Sequence, residues 1–454
     1  MHNDPAPEPI GIAEAFWFWL KIGFISFGGP AGQIALMHQE LVERKRWISE
    51  RRYLHALNYC MVLPGPEAQQ LATYIGWLMH RTWGGVMAGV LFVLPSLLIL
   101  IGLSWIYVAY GHVDWIAGLF YGIKPAVTAI VLQAAHRMGT RSLKHPALWA
   151  IAAFSFVAMA VFNLPFPAIV IAAAACGWLI SRVRPNVFQA AQGHGTTSIT
   201  TRPALIDDDT PRQAHTHFSV RRLTLVTVTG FILWALPMGA LVLVWGWDHT
   251  LAQMGWFFTK AALLTFGGAY AVLPYVYQGA VEQFSWVTAT QMMDGLALGE
   301  TTPGPLIMIV AFVAYLGGYT GALFGTAHVF AAGALAACVA TWFTFLPSFI
   351  FILAGGPLVE STHGKLQLTG PLTAITAAVV GVVLNLTLFL SYHVFWPQGL
   401  TTQTLLGGMD GFSIAIAFMA AMALLRFKRS VMEVIAVSAL LGWLLKMTPG
   451  LWGI

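Results

Sequence analysis

Charged residues are scarce in this chain: Asp, Glu, Lys and Arg make up 9% of its 454 residues, whereas 58% are hydrophobic. A soluble domain carries about 25% charged residues, so this composition excludes the ordinary water-soluble classes. Several apolar stretches exceed the roughly 18 to 20 residues that cross a bilayer, among them 84–110, 223–247, 322–353 and 370–396. We therefore expect an all-α integral membrane protein surrounded by lipid.

Cysteines and cofactor motifs are also few. The three cysteines, Cys60, Cys176 and Cys338, form no CxxC pair and are interpreted as small apolar residues. No lysine is followed by Ser or Thr, which excludes a GxxxxGK[ST] phosphate loop and a built-in ATPase. We expect no metal and no other cofactor. The first dozen residues lack Lys and Arg, and no small-residue cleavage site follows, so a cleaved signal peptide is not expected.

An internal repeat organises the chain. The motif Phe27-Gly28-Gly29 (FGG) recurs as Phe266-Gly267-Gly268, and Pro64-Gly65-Pro66 (PGP) recurs as Pro303-Gly304-Pro305, both at an offset of 239 residues. The same offset pairs Trp17 with Trp256, Lys21 with Lys260, Glu43 with Glu282 and Trp47 with Trp286, and after an insertion Leu94-Pro95-Ser96 matches Leu346-Pro347-Ser348. Such duplication is typical of transporter folds.

The repeat predicts the domain organisation. We expect an N-terminal repeat at 1–182, a solvent-exposed cytoplasmic linker at 183–222, a connecting transmembrane helix at 223–247 and a C-terminal repeat at 248–454. The net charge of +5 lies in short basic runs between apolar segments. These runs are typical of topology signals and not of a nucleic-acid surface, so no nucleic-acid partner is expected.

The basic residues predict that the two halves are inverted. The loop between the first FGG and PGP motifs contains Arg44, Lys45, Arg46, Arg51 and Arg52, whereas its counterpart at 271–300 contains no Lys or Arg. Basic loops stay in the cytoplasm, so the two loops are expected on opposite sides of the membrane. The basic runs all lie on the cytoplasmic side if four broken segments re-enter and nine other segments cross. This arrangement puts the N-terminus in the cytoplasm and the C-terminus in the periplasm. The four re-entrant segments are 13–36, 53–80, 253–275 and 292–319.

The FGG and PGP motifs interrupt apolar segments and predict the substrate pathway. Broken backbone at membrane depth is tolerated only where it is buried in protein or lines a wet cavity. A helix that begins in mid-membrane presents free N–H groups and the positive end of its dipole, which favours an anion. Pro66 and Pro305 suit the first turn of such helices, and Gly65 and Gly304 allow close approach of a ligand.

Ionisable residues within apolar segments are candidates for the same site. Lys21 and Lys260 are repeat mates, each six residues before its FGG motif, and Lys124 precedes Pro125. Two ammonium groups that meet near the midplane would balance a dianion, although snorkelling to the interface is the alternative. Glu67 and Glu300 flank the two PGP motifs. Either acid is a candidate to carry a coupling proton or to pair with a lysine.

The stretches FGGPAGQIALM, ERKRW, LPGPEAQQLATYIG, TFGGAYAVLP and GETTPGPLIMIVAFVAYLG resemble the chromate transporter family in its long two-repeat form. The resemblance covers most of the chain. It implies chromate export across the inner membrane, resistance to chromate, and sulfate as a chemically similar anion. Family motif positions carry over to Phe27, Gly28, Gly29, Pro30, Pro64, Gly65, Pro66, Phe266, Gly267, Gly268, Pro303, Gly304 and Pro305. Ala269 and Glu300 depart from the glycine and glutamine expected there.

The energetics favour export of an anion. A potential that is negative inside is worth roughly 2.3 kcal/mol per charge per 100 mV, so a leaving dianion gains about 4.6 kcal/mol. Export thus works as a uniport, and proton coupling stays optional. A sulfate or other oxyanion transporter and an anion channel remain as alternatives, since tetrahedral dianions are isosteric. A lipid-phosphate enzyme would need an acid/base or metal cluster at a membrane surface, which the sequence lacks. Whether the chain forms a homodimer stays open.

Overall fold

A computed structural model describes residues 10–111, 113–183, 203–207, 214–362, 369–397, 399 and 408–447. Over these ranges the chain is all-α, and its one β-type pairing is an isolated bridge between Ile48 and Ile206. The described helices of the first half are α1 (Ile12–Ile25), α2 (Gly29–His38), α3 (Glu50–Val62), α4 (Glu67–Tyr110), α5 (Asp114–Ser142), α6 (Pro146–Ala160) and α7 (Phe166–Val183).

The second half repeats this order after a connecting helix. Its described helices are α8 (Val220–Trp245), α9 (Thr250–Leu264), α10 (Leu273–Tyr277), α11 (Ala289–Thr301), α12 (Ile309–Thr320), α13 (Val329–Thr362), α14 (Thr369–Phe395), α15 (Gly411–Leu425) and α16 (Val431–Met447). The repeat extends to local detail, because a π-helical turn at Gln39–Arg44 recurs as Gln278–Gln283, again 239 residues later.

Each FGG motif lies at the tip of a helical hairpin. α1 ends just before the first FGG, and the chain then returns, so that Lys45 Nζ lies 3.1 Å from Glu14 Oε1 near the start of α1. The Phe18 and Trp47 rings are 4.5 Å apart, and their repeat mates Phe257 and Trp286 are 5.5 Å apart. Both FGG segments therefore fold as helical hairpins, the geometry that a re-entrant segment requires, and re-entry itself stays a prediction.

The PGP motifs also lie between packed helices, and in the first half the Tyr59 ring of α3 lies 5.6 Å from the Tyr74 ring of α4 across the motif. α4 contains non-helical backbone angles at His80 and Arg81. The arm at 67–79 folds back against the arm at 82–110, since Gly76 faces Gly84. In the second half, Gly295 of α11 faces Phe312 of α12 across the second PGP motif.

The two halves have opposite orientations. The second arm of α4 and α13 contain the matching Leu-Pro-Ser sequences, so they are repeat mates. Gly89 faces Phe349 in the middle of this pair, and the Trp105 and Phe330 rings are 6.1 Å apart at one end. The residue number rises in one helix as it falls in the other, so the mates are antiparallel. This confirms the inverted repeats.

The closing hairpin of each half packs against the other half. α5 lies against α15 and α16, where Gly122 faces Gly442, and α14 lies against α6 and α7, where Gly177 faces Ala374. Glycine at these contacts lets the helix backbones approach closely, as small residues do in membrane helix packing. This exchange joins the two repeats into one body.

The number of nine crossings stays a prediction, because the helices at the nine predicted positions differ in length. Six helices of the described chain are long and apolar enough to cross a membrane: α4, α5, α7, α8, α13 and α14. The other three predicted crossings form α6 and α15, with 15 residues each, and α16, with 17. At 1.5 Å per residue these helices are roughly 22–26 Å long, shorter than a hydrocarbon core of about 30 Å. The sidedness of the termini stays a prediction.

The linker is less exposed than predicted. Residues 184–202 and 208–213 lie outside the described residues, but Ile206 is buried and donates its N–H to the Trp47 carbonyl at 3.1 Å. His215 is also buried, with Nε2 3.0 Å from the Trp77 carbonyl. These parts of the linker dock on the first repeat because their apolar side chains and backbone groups find partners there.

Candidate functional site

The paired breaks contact each other across the two halves. The Gly65 N–H of the first PGP donates a hydrogen bond to the Thr265 carbonyl before the second FGG, at 2.8 Å. The Gly304 N–H of the second PGP donates to the Ser26 carbonyl before the first FGG, also at 2.8 Å. Each PGP motif is thus bonded to the FGG motif of the opposite repeat. The four breaks form a single region, which we call the crossed-break site.

Local sequence explains why the PGP chain can make this contact. Gly65 and Gly304 have φ values of +126° and +106°, which L side chains rarely adopt. A Cβ on Gly304 would also lie 2.5 Å from the Cβ of Ser96. Gly65 likewise lies against Ser348, the repeat mate of Ser96. Since both serines lie near the middle of long helices, the crossed-break site lies at mid-depth in the bundle.

Buried amides complete the contact. The Gln33 amide donates to the carbonyls of Gly304 and Ser26, and the Gln70 amide donates to the Pro64 carbonyl at 2.7 Å. The Oε1 atoms of both glutamines are buried, without a hydrogen-bond partner among the described residues. The Ser96 hydroxyl is in the same condition. The site therefore has unused hydrogen-bonding capacity beside its backbone N–H groups.

A buried acid lies at the same place. Glu300 Oε1 accepts a hydrogen bond from the Tyr270 hydroxyl at 2.5 Å, and both side chains are buried. The Tyr270 hydroxyl lies 4.0 Å from the position of a Cβ on Gly29, so the pair reaches the first FGG motif. Arg137, near the end of α5, interacts electrostatically with Glu300 and Tyr270. Among the described contacts, Glu300 pairs with a tyrosine and not with a lysine.

Glu67 begins α4 directly after the first PGP motif. Its carboxylate lies at a helix N-terminus, where the dipole stabilises negative charge. Arg141, one turn beyond Arg137 on α5, interacts electrostatically with Glu67. The two predicted acids thus each have an arginine of α5 nearby.

The balance of a dianion would require Lys21 and Lys260 to meet at the breaks. The structure instead places each lysine beside an exposed tryptophan of its own helix. Lys21 is exposed on α1 beside the exposed Trp17, whereas Trp19 and Ile22 form the packed face of that helix. The Lys260 ammonium lies 5.7 Å from the centre of the Trp256 ring, which is itself exposed. Successive residues of a helix are rotated by about 100°, so on α1 the Lys21 amine points away from the face that carries Trp19 and Ile22. A role of the lysines in substrate binding stays a prediction.

Lys124 lies in a different place, toward one end of the bundle. Its ammonium is 3.5 Å from Asp294 Oδ1, and the Tyr107 hydroxyl donates to Asp294 Oδ2 at 2.8 Å. At the other end, the Arg52 guanidinium donates to Glu360 at 2.8 Å and the Tyr74 hydroxyl donates to Glu360 at 2.5 Å. Each cluster joins a cation and a tyrosine of the first half to an acid of the second. We call them the Asp294 cluster and the Glu360 cluster.

Sequence reasoning located the breaks but missed most of the side chains around them. Ser96 and Ser348 carried a signal, because they recur in the Leu-Pro-Ser repeat. Gln33 and Gln70 have no repeat mates of the same type. Arg137 and Arg141 lie in the last two turns of α5, and no sequence pattern connects them with the acids. Their direction toward the acids depends on how α5 packs against the other half.

This arrangement suits a desolvated anion. The helix starts at Gly29 and Glu67 direct the positive ends of their dipoles into this region, and the Ser96 hydroxyl, which has no partner in the described part of the chain, can donate to an anion. Such groups replace the water shell of an oxyanion. Two inverted repeats whose broken segments meet at mid-depth define a membrane transporter.

Comparison with known proteins gives the family. The family model for the chromate transporter matches residues 13–178 and 252–443, one region in each half. The chain is similar to a chromate transport protein of Pseudomonas aeruginosa, with 31% identity over 99% of this chain and 96% of that protein. It is 29% identical to one of Cupriavidus metallidurans over 82% of this chain and 80% of the relative. A probable chromate transport protein of Synechococcus elongatus is 28% identical over 85% of this chain and 86% of that protein. No solved structure matches.

This chain therefore belongs to the chromate transporter family, and it is a multi-pass membrane protein.

Proposed function

We propose that this protein exports chromate or a closely similar tetrahedral oxyanion across the inner membrane and confers resistance to chromate. The reciprocal hydrogen bonds between the PGP and FGG motifs carry the proposal, because they gather four backbone breaks of two inverted repeats at mid-depth. The names of the relatives support the substrate class. Backbone N–H groups and Arg137 supply the positive field that a dianion needs.

The distribution of charge supports a direction. Arg137 and Arg141 lie toward the C-terminal end of α5, which we predict to face the cytoplasm because basic residues accumulate there. When Pro125 is aligned with Pro371, the matching positions on α14 are Val383 and Thr387. An anion is therefore attracted from one side and meets fewer cations on the other. With a potential of 100 mV, negative inside, a leaving dianion gains about 4.6 kcal/mol. Export as a uniport needs no further ion.

The two acids offer an optional proton route. Glu300 lies beside the first FGG motif through Tyr270, and Glu67 begins the helix after the first PGP motif. An anion that enters this region meets both carboxylates and is repelled unless they are neutralised by a proton or an arginine. We propose Glu300 as the better candidate for coupling, since its side chain is buried and bonded to Tyr270, whereas Glu67 is partly exposed.

Counterflow in proteoliposomes tests the function. Proteoliposomes that contain the purified protein are loaded with unlabelled sulfate. Uptake of labelled sulfate, chromate or phosphate is then followed across imposed potential and pH gradients. We expect saturable exchange of chromate and sulfate that responds to potential, with a pH-gradient response that Glu300→Gln removes if a proton is coupled. Absence of exchange for both chromate and sulfate would refute the proposed substrate class. Flux that does not saturate and shows no counterflow would indicate an anion channel.

A further inference from the structure

A cavity of about 310 Å³ lies beside the Asp294 cluster, away from the crossed-break site. It is lined by the ends of α4 and α12 and by the first turns of α5 and α11. The polar side chains of its wall are Tyr107, Lys124, Thr290, Gln291, Asp294 and Thr320. Because a water molecule occupies about 30 Å³ in the liquid, the cavity has room for a tetrahedral oxyanion together with several waters.

The cavity lies on the route from the crossed-break site to one end of the bundle. Asp294 and Glu300 are both buried on α11 and are six residues apart, so about 9 Å of helix separates them. Tyr107 belongs to the last turn of α4, whereas Glu360 lies near the end of the antiparallel helix α13. The Asp294 and Glu360 clusters thus lie at opposite ends of this helix pair.

The cavity has the groups that bind an anion. The Lys124 side chain is 25% exposed, whereas the Asp294 side chain is 4% exposed. α11, a helix of 13 residues, begins at the cavity wall and directs the positive end of its dipole there. The Gln291 Oε1 is used by the helix cap, where it accepts from the Thr288 N–H at 2.9 Å, so the other end of that amide remains for a ligand.

The contact between the Lys124 ammonium and the Asp294 carboxylate is long enough for another anion to replace the carboxylate. Its Oδ1 is buried without a hydrogen bond among the described residues, and the nearest partner that it has is the Lys124 ammonium at 3.5 Å. That distance is longer than the 2.7–2.9 Å of a strong charge-assisted hydrogen bond. The Tyr107 hydroxyl holds the other oxygen, so the carboxylate stays in place if the ammonium moves.

We propose that this cavity is a second oxyanion site, in which a tetrahedral dianion binds Lys124 by taking the ammonium from Asp294. The inference rests on the proposed transport function. Asp294 acts as the built-in competitor of the anion: it keeps Lys124 in place when the cavity holds no anion and limits how tightly an anion binds. An anion leaving the crossed-break site passes through this cavity before it reaches the surface.

Thiol protection tests the second site directly. Thr290 is exposed on the cavity wall, so Thr290→Cys provides a reporter in a chain that carries Cys176→Ser and Cys338→Ser, with the fully buried Cys60 kept. The rate of modification by neutral N-ethylmaleimide is measured in maltoside detergent, with sulfate against chloride at equal ionic strength. Sulfate is the probe because chromate oxidises thiols. The detergent carries no phosphate, which distinguishes a free oxyanion from a lipid headgroup.

The two members of the ion pair have opposite expected effects. We expect saturating sulfate to slow modification at least fivefold in the reporter protein, Lys124→Gln to abolish this protection and Lys124→Arg to retain it. Asp294→Asn is expected to lower the half-protecting sulfate concentration about tenfold, since the competitor is gone. Glu360→Gln, the matched change in the cluster at the other end, is expected to leave that concentration within twofold.

The outcomes separate this inference from the proposed function. Counterflow without protection, or protection that persists in Lys124→Gln, would overturn the second site while transport stands. A loss of sulfate affinity in Asp294→Asn would also overturn it, because a merely structural ion pair predicts the same sign for both partners. Protection that depends on Lys124 in a protein without counterflow would support the site and refute the transport function.

Discussion

Replacement of Gly304 by alanine perturbs the crossed-break site with a single methyl group. Gly304 has φ +106°, and its N–H bonds the Ser26 carbonyl at 2.8 Å. The added Cβ would lie 2.5 Å from Ser96 Cβ and 2.8 Å from Ser96 Oγ, well inside van der Waals contact. The methyl group therefore has to move the PGP backbone, the serine or both.

The structure gives two separate costs for Gly304→Ala. A non-glycine residue in sparsely populated backbone space costs about 1–3 kcal/mol, and overpacking of a tight contact costs about 1–3 kcal/mol more. We expect the free energy of unfolding to fall by roughly 2–6 kcal/mol. We also expect flux to fall at least tenfold, because misplacement of binding groups by about 1 Å has effects of this size or larger.

Gly299→Ala is the matched control, since Gly299 lies on α11 five residues before Gly304 and a Cβ there meets its nearest atom at 3.7 Å. This change should leave flux near that of the parent protein and stabilise the helix by up to about 1 kcal/mol. Thermal unfolding in detergent and counterflow in proteoliposomes measure both quantities. Ser96→Gly should restore part of the stability of Gly304→Ala, because it removes the overlap but not the backbone strain. If Gly304→Ala behaves like its control in both assays, the crossed-break contact does not have the proposed role.

Three further predictions concern the arginine, the linker and the orientation. Arg137→Gln should raise the half-saturating anion concentration about 10- to 100-fold, the equivalent of a charge-assisted hydrogen bond, whereas Lys144→Gln at the exposed end should change it less than threefold; equal effects in counterflow would refute a direct role of the guanidinium. Burial, together with the charges of Arg222 and Arg81, lowers the pKa of His215 below its ordinary value of 6.5, and the hydrogen bond to the Trp77 carbonyl opposes this shift. Docking of the neutral imidazole is therefore stable above pH 6.5 and weakens as the pH falls below it, so protease cleavage of the linker should accelerate between pH 7.5 and 5.5, and a flat profile would contradict this docking. Cysteines placed in 38–52 and 276–290 should react with an impermeant reagent from opposite sides of the membrane, and labelling from one side would contradict the inverted repeats.

Much of the fold was predictable because the same structural unit occurs twice in the sequence. The offset of 239 residues places FGG, PGP, Trp47 and the basic loop against their mates, and charge asymmetry then indicates the inversion. The antiparallel packing of α4 and α13 confirms it. Helix bounds were predictable where an apolar run has clear ends, as at 411–426. The helix there has 15 residues and begins at the Asp410 cap.

The candidate site was predictable as a place but not as a set of side chains. A break in an apolar helix is visible in the sequence through glycine and proline, because these residues have special backbone freedom. The partner of a break is not visible, since the contact of Gly65 with Thr265 joins residues 200 positions apart. Lys21 and Lys260 occupy symmetric positions in the sequence, but the sequence does not show which face of each helix carries them: Lys21 lies on the exposed face of α1 and Lys260 beside the exposed Trp256.

The sequence by itself determined that the chain lies in a membrane, that it contains two inverted copies of one unit, and that the backbone breaks at FGG and PGP. Composition, periodicity and charge bias determine these features, and all of them act locally along the chain. Only the tertiary structure decided that each PGP bonds the residue before the FGG of the other half, that Tyr270 bonds Glu300, and that Lys124 meets Asp294 beside a cavity. These features depend on helix rotation and packing between distant segments, which no local pattern specifies.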